Sequence, residues 1–317
     1  MMSQPHDALG LTYRRASGVD DFASTYEVFL AAANDLRARG HRDLLDDTVA
    51  RRARALAFRA HAFSHDADGF WLAEHGGERV GFGIATARHG FWHLNALHVL
   101  PAFQGEGIGS ELLRRCLAYG RRRGVVSTVI SEAAQPISNA LYARHGMYQW
   151  MPLIHVELPS IPRDLAQTTQ ALTGRVAPSG DAAVLAALDR IDSSVLGFTR
   201  PVDHRFWLDL PDLTLLLLGP APDQPTAYAY VSSFGGIGPC AAVSPRDLPT
   251  LLAHCLWLAN EEGRTHASFV VPGMASTALA HLLDLGGRFD ASMTLLLSNR
   301  AFGHLNRYLL SASDALF

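Results

Sequence analysis

A glycine-rich stretch in the first half of the chain has the composition of an anion-binding loop. Residues 104–109 (QGEGIG) follow an apolar segment that ends at Pro101 and lead into an amphipathic segment that begins at Ile108. Glycines let consecutive backbone N–H groups face one concavity, and the helix start adds unpaired amides and a positive dipole end. Such a loop suits a pyrophosphate. A dinucleotide-binding loop needs a different glycine spacing and an acidic residue about 20 positions later, so the sequence supports that alternative only weakly.

Composition excludes several other chemistries. All 27 basic residues are arginines, so the chain has neither a lysine nucleophile nor the lysine of a P-loop. The three cysteines, Cys116, Cys240 and Cys255, lie too far apart for a CxxC metal site. We expect no metal, because no histidines have a spacing such as HExxH. Solvated or capping roles are expected for six of them: His61, His65, His75, His89, His145 and His155.

The bulk properties describe a protein with a packed core and no charged partner surface. Hydrophobic residues make up 48% of the 317 residues, charged residues make up 18%, and the net charge is −3. A nucleic-acid binder normally carries a basic excess, so we expect no nucleic-acid partner. The sequence contains no apolar run near 18 residues and no signal peptide at its start, which predicts a cytoplasmic protein without a membrane partner. Its state is expected to be a monomer or a homodimer.

The elements that must position the loop follow from hydrophobic periodicity and turn residues. Over residues 11–157 the predicted order is β-α-α-β-β-β-α-β-α-β. The strands are expected at 11–16, 70–74, 79–87, 91–100, 125–131 and 148–157, and the helices at 20–39, 46–61, 108–122 and 136–145. This order predicts an α/β (α+β) fold with a mixed, mostly antiparallel sheet flanked by helices.

The second half repeats this order more faintly. Helices are expected at 182–194, 248–262 and 276–285, and strands at 213–218, 226–232, 239–243, 267–271 and 293–298. Cys116 and Gly124 recur as Cys255 and Gly263, each 139 residues later. Self-similarity of this kind indicates duplication of one fold. The sequence therefore predicts a first domain over 1–158, a linker over 159–175 and a second domain over 176–317.

The glycine loop resembles the acyl-CoA-binding motif of the GCN5-related N-acetyltransferase (GNAT) superfamily. The family pattern [Gln/Arg]-x-x-Gly-x-[Gly/Ala] is matched by Gln104, Gly107 and Gly109. A strand that ends in Leu-His-Val-x-Pro, residues 97–101, precedes the loop as in the family.

A second family signature follows in the expected order. The pattern Asn-x-x-[Ala/Ser]-x-x-x-Tyr-x-x-x-Gly-[Phe/Met] is similar to residues 135–147, in which Tyr142 precedes Gly146 by four positions. The usual asparagine is replaced by Gln135, although Asn139 offers an amide on the same helix face. The resemblance covers about residues 11–157 and implies two tandem GNAT-like domains.

The resemblance also implies the roles of individual residues. Main-chain groups at the end of the strand would pair with the pantetheine arm of acetyl-CoA, and amides of the loop would hold its pyrophosphate. Tyr142 would protonate the leaving thiolate. The residues expected to bind this co-substrate are Leu97, His98, Val99, Gln104, Gly105, Glu106, Gly107, Ile108, Gly109, Ser110, Gln135 and Asn139.

An amine acceptor must lose a proton, which calls for a base that titrates near neutrality. Strand alternation predicts that His93 shares a face with Asn95, Leu97 and Val99, whereas His98 faces the other way and packs. The strand resembles that of serotonin N-acetyltransferase, with His93 at its first catalytic histidine. His93 is therefore the first candidate, Glu132 is the second, and bulk water is a third.

The second half is expected to be a degenerate, non-catalytic copy. After Pro245 it has only RDLPTLL where the first half has AFQGEGIGSELL, and Leu282 stands at the position of Tyr142. Asp247 and Pro249 are both unfavourable for binding phosphate, since one adds a negative charge and the other lacks an N–H.

We therefore expect an acetyl-CoA-dependent N-acetyltransferase that acts on a small primary amine by direct attack in a ternary complex. Two alternatives are a non-catalytic CoA-binding or regulatory module and a transferase that modifies a protein or peptide. The acceptor pocket is expected within 27–65. Its carboxylates could bind an ammonium group, but a solvated helix face explains them equally well: Glu27, Asp35, Asp43, Asp46 and Asp47.

Overall fold

The computed structural model describes residues 10–121, 126–162, 173–176, 181–221 and 223–310. Its contacts divide the chain into two compact units, unit 1 (1–127) and unit 2 (128–317). The predicted fold class is confirmed, since antiparallel sheets are flanked by helices in both units. The predicted β-α-α-β-β-β-α-β-α-β order of the first half is also confirmed.

Unit 1 contains a four-stranded antiparallel sheet in the order β1-β2-β3-β4, with helices on both faces. In chain order its elements are β1 (Leu11–Arg15), α1 (Val19–Arg39), α2 (Val49–Asp66), β2 (Phe70–His75), β3 (Glu78–Arg88), β4 (Phe91–Val99) and α3 (Ile108–Arg121). Aromatic rings of α1 and β3 pack on one face of β4. The opposite face of the sheet packs against α3.

Helix α3 lies unusually close to the sheet because β3 presents glycines to it. A Cβ on Gly83 would lie 2.9 Å from the Cys116 sulfur, and a Cβ on Gly81 would lie 3.3 Å from side-chain carbons of Ile108 and Leu112. Contacts below 3.0 Å require something to move, so any larger residue at Gly83 would push α3 away. This close approach fixes the start of α3 beside the end of β4.

The remaining elements begin with β5 (Val126–Glu132), which spans the boundary, and otherwise lie in unit 2. They are α4 (Pro136–Arg144), β6 (Gln149–Leu158), β7 (Thr173–Val176), α5 (Ala182–Val195), α6 (Pro201–Asp209), β8 (Leu213–Gly219), β9 (Ala227–Ser232), β10 (Ile237–Ala242), α7 (Leu248–Glu261), β11 (Ala267–Pro272), α8 (Ser276–Asp284), β12 (Arg288–Ser298) and β13 (Tyr308–Leu309). One antiparallel series is β5-β12-β6-β11, and a second sheet has the order β13-β10-β9-β8-β7.

The halves of the chain exchange strands within unit 2. Strand β12, from the second half, lies between β5 and β6 of the first half, with Thr294 opposite both Glu132 and Leu153. Strand β6 in turn pairs with β11, and its Val156 and Leu158 are buried in the core of the second half. The compact units therefore divide at 127/128, whereas the sequence predicts a domain boundary at 158/159.

The second half repeats the element order of the first more fully than the sequence predicts. Two elements of this repeat were missed, the helix α6 and the strand β7, which lies within the segment expected to be largely linker. The short strand β13 was missed as well. Most of that linker, 163–172, lies outside the described residues. Its beginning is anchored, because Ile161 is buried and its amide donates to the carbonyl of Thr265 at 2.9 Å.

A buried polar network joins α5 and α6 to the second sheet. The Asp192 carboxylate accepts hydrogen bonds from Arg200 Nε at 2.7 Å and Tyr228 OH at 2.5 Å, and it pairs with His204 Nε2 at 2.9 Å. Burial raises the pKa of Asp192, but Arg200 and His204 lower it more, to about 2. The buried Arg200 cation is thus neutralised inside the second half.

None of the helices in the described part of the chain is long and apolar enough to cross a membrane.

We predict that residues 1–158 do not fold when they are produced alone. Without β12, the facing edges of β5 and β6 have no hydrogen-bonding partner, and the apolar side chains of β6 lose the core that buries them. Size-exclusion chromatography and thermal unfolding should show an aggregated or non-cooperative fragment.

A protease site inserted within 163–172 provides the matched control. After cleavage the two fragments should remain associated and unfold together in one cooperative thermal transition. The reason is that the pairing of β12 with β5 and β6, and of β6 with β11, holds them together without a continuous chain. A monomeric 1–158 fragment with its own cooperative transition would contradict the strand exchange.

Candidate functional site

The glycine loop of unit 1 is exposed and sharply bent. Gly105 has φ +90° and Gly107 has φ +80°, both in the left-handed region that a side chain disfavours. A Cβ on Gly105 would meet no heavy atom within 4 Å. A ligand that contacts the main chain closely needs open space beside it. The loop has this space at Gly105, where the backbone has a conformation that only glycine adopts without strain.

The start of α3 adds backbone donors to this loop. The bond from Glu111 N to Gly107 O, 3.1 Å long, is the first of the helix. The amides of Ile108, Gly109 and Ser110 precede it, so they have no helical carbonyl to which they can donate. A Cβ on Gly109 would meet only the side chain of Val99, at 3.9 Å, so space remains beside these amides.

The acidic residue in the first turn of α3 is paired with arginines. Glu111, in the first turn, pairs with Arg114 Nη2 at 2.6 Å and Arg115 Nε at 2.7 Å. The hydrogen bonds from Arg114 hold the pKa of Glu111 below its usual range despite its burial. A neutralised glutamate repels a phosphate less than a free one, so Glu111 opposes anion binding at the helix start less than an unpaired carboxylate would.

The end of β4 presents its main chain away from β3. Leu100 N donates to Val80 O at 2.8 Å, and the register from 96 to 99 is regular. Because antiparallel strands bond to one neighbour at every second residue, the main-chain groups of Leu97 and Val99 point to the other edge. The Gln104 side chain donates to Val99 O at 3.0 Å and ties the loop to this strand end.

A β-bulge in β4 overturns one prediction about its faces. Leu94 pairs with Ala85 and Ala96 pairs with Ile84, so Asn95 is the extra residue of the bulge. The extra residue reverses the alternation. His93 therefore lies on the face of Ala96 and His98, and the prediction that it shares a face with Leu97 and Val99 is wrong.

The two histidines on this face have different surroundings. His93 is buried, and its ring stacks on Phe91 with centroids 6.3 Å apart. His98 lies 5.2 Å from the Phe29 ring of α1 and 5.4 Å from the Phe82 ring of β3. Burial and the charge of Arg59 lower the pKa of His98 to about 4, so this imidazole is neutral at pH 7.

The other candidate residues belong to unit 2, around the start of α4. Glu132 ends β5, its carbonyl accepts from Gln135 N at 3.1 Å, and Gln135 O accepts from Asn139 N at 3.0 Å. The buried Asn139 amide donates to the carbonyls of Glu132 at 3.2 Å and Ala133 at 3.3 Å. Asn139 thus connects α4 to the end of β5.

Tyr142 lies one turn further along α4 and is 6% exposed. Its carbonyl accepts from Met147 N at 3.1 Å, which closes the end of the helix. The Tyr-x-x-x-Gly pattern therefore corresponds to a helix end that holds the tyrosine among buried side chains.

The corresponding junction of the second half lacks the loop. A single 3-10 turn, Pro245–Asp247, leads directly from β10 to α7, and burial raises the pKa of the Asp247 carboxyl. Strand β10 has a bulge between Ile237 and Cys240, as β4 has near Asn95, but it contains Pro239, which has no N–H to donate. Backbone donors are thus missing where the first half has them.

Two contacts in the structure were not predicted from the sequence, one in each unit. Arg59 of α2 is 5% exposed and contacts Thr25 of α1. Its burial could have been predicted from its position on the inward-facing side of an amphipathic helix. In unit 2, His155 Nε2 and Thr294 Oγ1 lie 3.1 Å apart across β6 and β12, a pair that no local pattern announces because 139 residues separate them.

No group of three or more metal-ligating side chains occurs within the described ranges. The side chains of the arginine run 121–123, at the end of α3, are not described.

Comparison with known proteins gives a consistent result. The profile of the acetyltransferase (GNAT) family matches residues 30–147. An uncharacterized N-acetyltransferase from Archaeoglobus fulgidus is 31% identical over 113 residues, which are 33% of this chain and 69% of that relative. A mycothiol acetyltransferase from Nocardia farcinica is 31% identical over 119 residues, 36% of this chain and 38% of that relative.

Solved structures extend the likeness of fold to both halves. A Pyrococcus horikoshii protein, described as a candidate acetyltransferase, has a TM-score of 0.73 at 21% identity and 96% coverage of each chain. A tandem GNAT protein from the clavulanic acid biosynthesis pathway has a TM-score of 0.57 at 13% identity, covering 92% of this chain and 98% of that one. From the loop, the helix start and these relatives together, the chain belongs to the GNAT family of acetyltransferases.

Proposed function

We propose that the protein is an acetyl-CoA-dependent N-acetyltransferase that transfers the acetyl group to a primary amine of a small molecule. The observation that carries the proposal is the junction of β4 and α3 in unit 1. There an open glycine loop, a helix start without helical acceptors and an outward main-chain edge lie within a few residues of each other.

The residues of this junction fit the chemistry of coenzyme A. Amides of Gly105–Ser110 would hold the pyrophosphate, which needs several donors and no cation of its own. The outward main-chain groups of Leu97 and Val99 would pair with the amides of the pantetheine arm. The helix residues Gln135 and Asn139 complete the proposed contacts.

The reaction proceeds by direct attack in a ternary complex. The amine nitrogen attacks the thioester carbonyl, a C–N bond forms, the C–S bond breaks, and the thiolate takes a proton from Tyr142. The proton of the amine goes to His93, Glu132 or water. An acyl-cysteine route finds no support, because Cys116 is fully buried and burial raises its pKa to about 12.

We predict that Gly105→Glu weakens CoA binding at least tenfold, because its carboxylate would stand at the proposed phosphate site. Gly77→Glu is a matched control, since Gly77 has φ +86°, close to the +90° of Gly105, and neither added Cβ meets an atom within 4 Å. Isothermal titration with CoA measures both variants. Equal losses in the two, or none in Gly105→Glu, would remove the loop from the site.

For Tyr142→Phe we expect kcat to fall about 10²-fold, the usual scale for a positioned acid, with CoA affinity unchanged. Tyr148→Phe is the control, since Tyr148 is 65% exposed and has no proposed role. Steady-state turnover with an amine panel supplies the measurement. A Tyr142→Phe enzyme with full kcat would exclude Tyr142 as the proton donor.

The base can be identified from pH–rate profiles of His93→Gln and Glu132→Gln. Loss of the true base should lower kcat/KM about 10²-fold and remove the acidic limb of the profile. His98→Gln should keep that limb, because the pKa of His98, about 4, places its titration below the assay range. If every variant retains the limb, water is the base.

A further inference from the structure

Arg59 is a buried cation whose charge no carboxylate in the described part of the chain neutralises. Its guanidinium donates from Nε to Thr25 Oγ1 at 3.0 Å, from Nη1 to Ala55 O at 2.9 Å and from Nη2 to Thr25 O at 3.3 Å. Every one of these acceptors is neutral. Burial lowers the pKa of Arg59 only to about 10, so the charge persists at pH 7.

Carboxylates of α1 and of the segment before α2 pair with other arginines. Glu27 and Asp47 both pair with Arg52, at 3.0 and 2.7 Å, and Asp35 pairs with Arg39 at 2.8 Å. Three of the five acidic residues that the sequence offers as partners for an ammonium group, Glu27, Asp35 and Asp47, are therefore paired with arginines.

The second half shows that this arrangement is not imposed by the fold. Its buried Arg200, also held between a helix pair and a sheet, binds the Asp192 carboxylate at 2.7 Å. Burying an ion without a counter-charge costs several kcal/mol. In the second half Asp192 supplies the counter-charge for Arg200. In the first half the described residues supply no carboxylate for Arg59, so the counter-charge can come from a ligand.

The donors that remain on Arg59 indicate the ligand. A guanidinium has five N–H groups, and the three hydrogen bonds leave one on each terminal nitrogen. Two N–H groups are what a carboxylate accepts in a bidentate pair. The guanidinium lies over the Phe82 ring, with Cζ 5.4 Å from its centroid, and that ring also contacts His98 of β4.

We propose that Arg59 binds a carboxylate of the acyl acceptor, so that the preferred acceptors are amino acids or similar amines that carry a carboxylate. This inference rests on the proposed function, because it places the acceptor on the face of β4 that bears His93 and His98. It adds the chemical class of the acceptor to the proposed reaction.

The test compares amines that differ only in the carboxylate. L-phenylalanine is paired with 2-phenylethylamine, and L-leucine with 3-methylbutylamine, and kcat/KM is measured for each with acetyl-CoA. Wild-type enzyme should favour the carboxylated member of a pair. Arg59→Met should lower that preference about tenfold to hundredfold, the value of hydrogen bonds to a charged group, and Arg59→Lys should restore only part of it.

The ratio within each pair is insensitive to the fraction of folded enzyme, so a destabilised variant still reports on recognition. Arg52→Met is the control and should leave the ratio unchanged, since its guanidinium already binds Asp47 and Glu27. Equal loss of both amines in Arg59→Met, or no preference in the wild type, would overturn the inference while leaving the transferase activity intact. If none of the amines is acetylated, the result overturns both the proposed function and this inference.

Discussion

The close approach of α3 to the glycines of β3 is the constraint on which the site depends. Because Gly83 leaves no room between the strand and Cys116, the helix start is held against the end of β4. Ile108 and Leu112 then pack with Leu97 and Val99, so the loop amides and the outward edge of the strand share one end of the sheet. A ligand with a phosphate at one end and amides along its length matches that arrangement. The binding geometry thus follows from packing, before any charged side chain is considered.

The local part of this architecture could be predicted from the sequence, and the non-local part could not. Helix and strand positions in the first half follow from periodicity, and the ends of β3, β4 and α3 lie within a residue of their predicted positions. The predicted face of His93 is wrong, because the bulge at Asn95 depends on how β4 pairs with β3 and has no local sequence signal. The exchange of β12 had no signal either, since β5, β6 and β12 each resemble an ordinary strand. Arg59 had a faint signal on the inward face of α2, but the absence of an acid beside it is a property of the packed structure.

The two halves differ in how they treat corresponding polar groups. Both place a cation between a helix pair and a sheet, and both carry a bulge in the strand that leads to the third helix of the repeat. In the second half the cation is neutralised by Asp192, the bulge contains Pro239, and the loop is reduced to one turn. The first change neutralises a charge inside the second half, and the other two remove backbone donors. The first half retains the unsatisfied groups, which is the usual cost of a site that must bind something else.

The position of β12 also has a consequence for biosynthesis. Ribosomes deliver the chain from its N-terminus, so β6 is complete 130 residues, and β5 156 residues, before β12, the strand that lies between them, begins. At about 5–20 residues per second, the gap lasts roughly 6–30 s. During that time two strand edges and the apolar side chains of β6 are open to other nascent chains. The strand pairing of unit 2 can therefore be completed only after β12 has been synthesised, at a stage when the glycine loop between β4 and α3 is already present.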